Sequence, residues 1–329
     1  MCTAITYQTK DHYFGRNLDL EYSYSETVTV TPRNYPFHFR KMGTIPAHYA
    51  MIGMAYVVED YPLYYDATNE TGLSMAGLNF PGNACYHEMQ EGRDNVSPFE
   101  FIPWVLGQCA DLEAVQRLLA RINLAQIPFS PQLPLSPLHW IIADRTGCLV
   151  VESMQDGLHI YPNPVGVLTN NPPFDYHMTH LNQFLNLTPE EAVSRFSDKV
   201  ELQPFSKGMG ALGLPGDLTS ASRFVRAAFV KLNSVSGDTE SESISQFFHI
   251  LSSVAMPRGC VRLGEGEYEI TQYTSCCNTD RGIYYYTTYE NSQITAVNMH
   301  AEELDGNKLA SYPLICGQQI RTQNGEIAK

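Results

Sequence analysis

The amino-acid sequence predicts an α+β protein in which two antiparallel sheets pack together and helices cover their outer faces. Three observations lead there. Strand-like and helix-like stretches come in blocks (β-rich, α, β-rich, α, β-rich) without the strand–helix repeat that builds parallel sheets. The strand-like stretches are joined by short turns, as hairpins are. No internal repeat, low-complexity tract or linker divides the 329 residues, and a hydrophobic content of 43% can fill one large core, so a single domain is expected.

Cys2 to Thr9 alternates like a strand, Lys10-Asp11-His12 reads as a tight turn, and Tyr13 to Leu18 as the returning strand. Thr27 to Thr31 alternates threonine with valine. Ala50 to Val58 is a further strand, and Asn69-Glu70-Thr71-Gly72 turns the chain into Leu73 to Phe80. Helices follow. Ser97-Pro98-Phe99-Glu100 offers a serine cap, a proline at the first helical position and a glutamate at the third, predicting a helix to about Gly107. From Asp111 on, Leu112, Val115, Leu118, Leu119 and Ile122 share one helical face. Residues 127–137 hold four prolines and form a loop whose apolar Phe129, Leu133 and Leu135 either pack on the core or line a pocket.

Strands resume from His139 to Asp144, Cys148 to Glu152, Gly157 to Tyr161 and Val165 to Thr169. Helices are expected from Phe174 to Leu185, after the cap Thr188-Pro189-Glu190-Glu191, from Thr219 to Leu232 and from Ser241 to Val254. Tyr268 to Cys276, Ile283 to Tyr289 and Gln293 to Met299 return to strands.

A net charge of −14 argues against nucleic acid and anionic membranes as partners. With no leader and no apolar run of about 18–20 residues, a soluble cytoplasmic protein is expected. The eight cysteines (2, 85, 109, 148, 260, 276, 277, 316) include no C-x-x-C pair, which favours reduced thiols over a disulfide framework or zinc site. Adjacent Cys276 and Cys277 read as structural.

Chemistry concentrates at the start of the chain. If Met1 is removed, Cys2 carries both a thiol nucleophile and a free α-amine, whose ordinary pKa of roughly 7.7–8 suits a general base. Pairing about a turn near Asp11 brings Asp19 roughly opposite Cys2, with Arg16 a little further along. The carboxylate could orient the amine and the guanidinium could favour the thiolate. The plainer alternative keeps Met1 and makes Cys2 a small buried residue.

Other motifs carry less. Gly208 to Gly213 matches G-x-G-x-x-G by letter but lacks the strand before and the helix within that a dinucleotide site needs. His177-x-x-His180 has no third ligand beside it. No G-x-S-x-G occurs. Asn79 and Asn170 end strands, as turn formers or as donors to a developing oxyanion. Arg223 lies in the first turn of an expected helix, the unfavourable end of the dipole for a cation, which hints at a specific acidic or thiolate partner.

Met1-Cys2-Thr3, Phe14-Gly15-Arg16-Asn17-Leu18-Asp19, Gly77-Leu78-Asn79-Phe80-Pro81, Val167-Leu168-Thr169-Asn170 and Leu214-Pro215-Gly216-Asp217, with Ser222-Arg223-Phe224 after, resemble the choloylglycine hydrolases. That family includes bile salt hydrolases and penicillin V acylases, and these stretches look like the bacterial bile salt hydrolase branch. The resemblance covers nearly the whole chain. It implies an N-terminal nucleophile (Ntn) hydrolase with a four-layer αββα sandwich, one domain over residues 2–329 once Met1 is removed. It implies a catalytic set of Cys2, Arg16, Asp19, Asn79, Asn170 and Arg223, with no cofactor or metal. Leu18, Val58, Tyr65, Phe129, Leu133 and Leu138 match family pocket positions. Relatives acting on penicillin V commonly carry tyrosine at the place of Asn79, so Asn79 favours conjugated bile salts as the small-molecule substrate. The family also suggests a homotetramer. Penicillin V acylase is the alternative within the family. A steroid- or lipid-binding protein that keeps Met1, and a redox protein using Cys276-Cys277, are the alternatives outside it.

Overall fold

The computed structural model describes residues 1–324. Its frame starts from the first hairpin, where β1 (Cys2–Gln8) and β2 (His12–Leu20) run antiparallel. β1 also pairs with the short strand Val167–Leu168, and β2 with Ile270–Asn278. Ile283–Thr288 and Asn291–Asn298 complete a six-stranded antiparallel sheet. A second antiparallel sheet has eight strands, in the spatial order Gly157–Pro162, Gly147–Met154, Leu138–Asp144, Ser74–Asn79, Tyr61–Asn69, Met51–Val58, Thr27–Thr31 and Ala310–Pro313.

Among the described residues five α-helices cover the sheets: α1 (Phe101–Gln108), α2 (Leu112–Leu119), α3 (Phe174–His180), α4 (Ser220–Asn233) and α5 (Glu240–Ser252). Side-chain alternation shows how the layers stack. In Leu138–Asp144, Ile141 and Ala143 join a core shared with β1, β2, α4 and α5, whereas Trp140 and Ile142 join a second core with α1 and α2. A strand whose two faces both read apolar is therefore a layer buried on both sides. The order is helices, sheet, sheet, helices, the expected αββα sandwich.

Several expectations change. α2 ends at Leu119 and Ile122 opens the short strand Ile122–Leu124, and Tyr61–Asn69 is a strand not expected from the sequence. β1 and β2 pair Cys2 with Leu18, so Asp19 stands opposite Met1, one residue from the place the hairpin argument gave it. α3 ends at His180 and tightens into a 3₁₀ turn, Leu181–Phe184. No helix follows Thr188; residues 188–207 are irregular, with Val193, Phe196 and Phe205 exposed. The glycine-rich stretch is a loop holding one short 3₁₀ turn, Met209–Ala211.

One close approach supports the centre of the first sheet. A Cβ on Gly15 would lie 2.0 Å from the Ser275 carbonyl oxygen, so glycine lets β2 meet the strand Ile270–Asn278 next to Arg16.

Candidate active site

Cys2 is the first residue of β1 and is 2% exposed beneath Met1. Because alternate residues of a strand face opposite sides, its Sγ shares the inter-sheet face with Arg16, two positions along β2 from its partner Leu18. Arg16 is fully buried, and its Nη2 donates to Cys2 Sγ at 2.6 Å. The other fork of the guanidinium crosses to the second sheet, where Nη1 donates to the carbonyls of Tyr65 (3.1 Å) and Gly77 (2.5 Å). Burial opposes its charge, yet the facing Cys2, Tyr273, Asp66 and Asp19 hold its pKa above the ordinary arginine value.

On the helix side lies Arg223, in the first turn of α4. Thr219 caps α4 and Asp217 accepts from Thr219 and Ser222, which fixes the turn that carries Arg223. Arg223 reaches back to the Cys2 carbonyl (Nη1, 2.5 Å), Thr3 Oγ1 (2.6 Å) and Asn170 Oδ1 (2.7 Å). Its direct partners are therefore two carbonyls (Cys2 and Leu218), a hydroxyl and an amide oxygen, in place of the acid or thiolate expected from its helix position. Burial lowers its pKa, against the charges of Asp19 and Cys2.

Asn170 is the junction. Its Oδ1 accepts from Cys2 N at 2.8 Å as well as from Arg223, and its Nδ2 donates to the Asn79 carbonyl at 2.7 Å. Asn79 closes the strand Ser74–Asn79 opposite Leu138. Asp19 is buried; its Oδ1 accepts from Thr271 Oγ1 at 2.6 Å while Oδ2 has no hydrogen-bond partner. Burial pushes its pKa above the usual carboxylate range, against the pull of Arg223, the N-terminal ammonium, the Thr271 hydroxyl and Arg16.

Met1 continues the hairpin. Its ammonium donates to the Asp19 carbonyl at 2.8 Å and pairs with the Glu269 carboxylate, and its carbonyl accepts from Asp19 N at 2.9 Å. Burial draws the pKa of that ammonium below 8.0, against the charges of Cys2 and Asp19.

The structure thus brings Cys2, Arg16, Asp19, Asn79, Asn170 and Arg223 into one linked cluster. The six expected pocket positions divide. Leu18 lies opposite Cys2, Tyr65 supplies a carbonyl to Arg16, and Leu138 stands opposite Asn79. Val58 sits beside the Glu59-Asp60 turn, and Leu133 is held in a turn by Ser130. Phe129 packs on Phe99 and Tyr61 under the Arg40 guanidinium, lining a cavity of about 620 Å³ whose walls include none of the cluster. Among the described residues no hydrogen bond or ring contact ties these last three to Cys2.

Sequence reasoning missed Thr271, Glu269 and Asp66. The last receives the hydroxyls of Tyr273 and Tyr284, each at 2.7 Å. These residues lie up to about 250 positions from their partners, and no local pattern links them. Cys276 and Cys277 are buried and burial pushes both thiols up, which removes the reactivity a redox role needs. His177, half of the sequence's H-x-x-H pair, is 2.9 Å from the Asn170 carbonyl through Nε2.

Residues 2–312 match the family of linear amide C–N hydrolases, choloylglycine hydrolase family. The chain is 56% identical to a bile salt hydrolase/transferase of Lactiplantibacillus plantarum over 95% of its own length and 97% of the relative's. A bile salt hydrolase/transferase of Clostridium perfringens is 42% identical over 95% and 96%. The crystal structure of the C2A mutant of the conjugated bile acid hydrolase from Clostridium perfringens superposes with a TM-score of 0.92 at 40% identity, covering 98% of this chain and all of that one. Penicillin V acylase from Agrobacterium tumefaciens shares the fold, with a TM-score of 0.75 at 18% identity over 94% of this chain and 90% of that one. The chain belongs to the choloylglycine hydrolase family of linear amide C–N hydrolases.

Proposed function

We propose that the protein hydrolyses the amide bond joining a bile acid to glycine or taurine, with Cys2 as an N-terminal nucleophile. The observation that carries this reading is the 2.6 Å contact of the buried Arg16 guanidinium with Cys2 Sγ, which sets a fixed positive charge against the sulfur at the first strand position. The names of the Lactiplantibacillus and Clostridium relatives supply the substrate class.

On this reading Met1 is removed and the Cys2 nitrogen, already 2.8 Å from Asn170 Oδ1, becomes the α-amine. The thiolate adds to the amide carbonyl, forming a C–S bond, and the oxyanion takes donors from Asn79 and Asn170. The C–N bond breaks as the α-ammonium gives its proton to the leaving glycine or taurine. The amine then takes a proton from water as water adds to the thioester, and cleavage of C–S restores the thiolate. The relatives' names add a transferase activity, in which an amine would take the place of water at the same thioester. Leu18, Val58, Tyr65, Phe129, Leu133 and Leu138 would face the steroid, and no cofactor or metal enters any step.

The rest of the reading is a single domain from Cys2 onward, a cytoplasmic location and a homotetramer. Positions 325–329 of that domain lie outside the described residues. No helix of the described residues is long and apolar enough to cross a membrane. The exposed Leu185, Val193, Phe196 and Phe205 offer apolar surface for subunit contacts, which light scattering of the purified protein tests.

Intact mass and product analysis with glycocholate, taurocholate and penicillin V test the activity. Protein lacking Met1 should release bile acid from both conjugates and cleave penicillin V far more slowly. Full activity from protein that uniformly keeps Met1 would overturn the mechanism, and a preference for penicillin V would overturn the substrate.

A further inference from the structure

The two asparagines of the cluster share one buried support that lies outside it. His139, in the strand Leu138–Asp144, is completely buried. Its Nε2 is 3.0 Å from the Thr169 carbonyl oxygen, and its Nδ1 is 2.9 Å from Glu152 Oε1 on the neighbouring strand. A carbonyl only accepts, so Nε2 carries the hydrogen of the contact with Thr169. The Phe80 ring lies flat on the imidazole, with centroids 4.2 Å apart and planes 4° from parallel.

Each contact points at one asparagine. Phe80 follows Asn79, and Thr169 precedes Asn170. Glu152 also accepts from Phe174 N, at 3.1 Å through Oε1 and 3.3 Å through Oε2, at the start of α3. The segment 169–174 is therefore tied at both ends, by His139 at the Thr169 carbonyl and by Glu152 at Phe174 N. Between them, Asn170 N donates to Ser220 Oγ at 2.9 Å and the Asn170 carbonyl lies 2.9 Å from His177 Nε2. Both main-chain polar groups of Asn170 are thus engaged, and its side chain serves Cys2 N, Arg223 and the Asn79 carbonyl.

We propose that His139 and Glu152 are positioning residues that hold Asn79 and Asn170 in register for the reaction, acting from one buried imidazole stacked under Phe80 and bonded to Thr169. The inference rests on the reading of these asparagines as oxyanion donors. The hydrogen bonds of His139 and Glu152 go to Thr169, to each other and to Phe174 and not to Cys2 or Arg16, so the thiol should be insensitive to their loss while turnover is not.

Full-length protein with Met1 removed, as checked by intact mass, is assayed with glycocholate alongside His139→Gln, Glu152→Gln, the double variant and Phe80→Leu. The expected result is a fall in kcat of at least tenfold for either polar variant, with KM within about twofold. Cys2 should react with iodoacetamide at the wild-type rate, within twofold, from pH 6 to 9. The double variant should be no more than twofold worse than the poorer single one, because both act through one support. Phe80→Leu, which removes the stacked ring and no hydrogen bond, should lower kcat at least threefold with unchanged alkylation, and it decides the matter if the polar variants do not fold. Variants that keep kcat within twofold of an active wild type overturn the inference. Variants that lose kcat and alkylation together also overturn it, since that is general collapse of the site. A wild type with a free N-terminal Cys2 and no glycocholate hydrolysis overturns the underlying reading instead.

Discussion

The two arginines of the cluster look alike in sequence and differ in what they touch. Arg16 meets Sγ directly, while Arg223 holds the Cys2 carbonyl and the Asn170 amide oxygen. A full charge in hydrogen-bond contact with a thiolate acts far more strongly than one behind a carbonyl. Arg16→Gln should therefore slow alkylation of Cys2 at pH 7 at least tenfold, whereas Arg223→Gln should change it less than threefold while lowering kcat. Iodoacetamide rates for both variants distinguish the two, and equal effects would contradict this division of roles. The cluster was legible because its members lie in short motifs that resemble a family, not because spacing alone revealed it. Thr271 and Asp66 were illegible for the opposite reason: each is an unremarked strand residue that meets its partner only when sheets pair or stack.

Among the elements, most long strands were read, Tyr61–Asn69 and the edge strand Ala310–Pro313 were missed, and caps were less reliable. The capping box at Ser97 is present and leads into α1, whose buried face secures it. The comparable signal at Thr188 starts no helix. A cap contributes about 1 kcal/mol, which cannot offset the cost of nucleation without an apolar face to bury. Val193 and Phe196 stay exposed there, 77% and 81% respectively, so no such face is buried. The hairpin was placed correctly and its register missed by one residue, since turn geometry and not strand composition sets register. Gly15 now explains how β2 is held against its neighbour. Gly15→Ala would drive a methyl group into the Ser275 carbonyl, costing about 1–3 kcal/mol as overpacking does. Urea denaturation should show that loss, and a larger fall in activity than in stability would place the displacement at Arg16.

For the molecule as a whole, the αββα order was readable from block composition, but the polar bridge between its two sheets was not. Asp66, fully buried on the eight-stranded sheet, takes the Tyr273 and Tyr284 hydroxyls from the six-stranded one and faces the charge of Arg16. Asp66→Ala would leave a buried guanidinium with less counter-charge and two phenols unpaired, a loss of about 3–5 kcal/mol in urea titration. Acid sensitivity has a different origin. Burial lowers the pKa of His12, at the start of β2, from 6.5 to about 4, although Asp280 and Asp144 oppose the shift and Arg145 and Lys231 add to it. The unfolded chain binds that proton first as pH falls, so the stability His12 supplies is complete above about pH 6.5 and is lost between there and pH 4. Melting curves should show His12→Gln well below wild type at pH 7 and the gap narrowing by pH 4.5. Burial likewise lowers His177 to about 4 and gives it the same sign.

The extra rung that Met1 adds to the hairpin has a practical side. Met1 and Asp19 exchange two backbone hydrogen bonds, and Cys2 beneath them is 2% exposed. On the proposed mechanism the newly made chain is folded yet latent, and an aminopeptidase switches it on by removing one residue. An affinity tag fused ahead of Met1 would then yield a correctly folded zymogen-like control, silent towards substrate and slow towards iodoacetamide. A tag after Ala310–Pro313, at the outer edge of the other sheet, would leave maturation untouched.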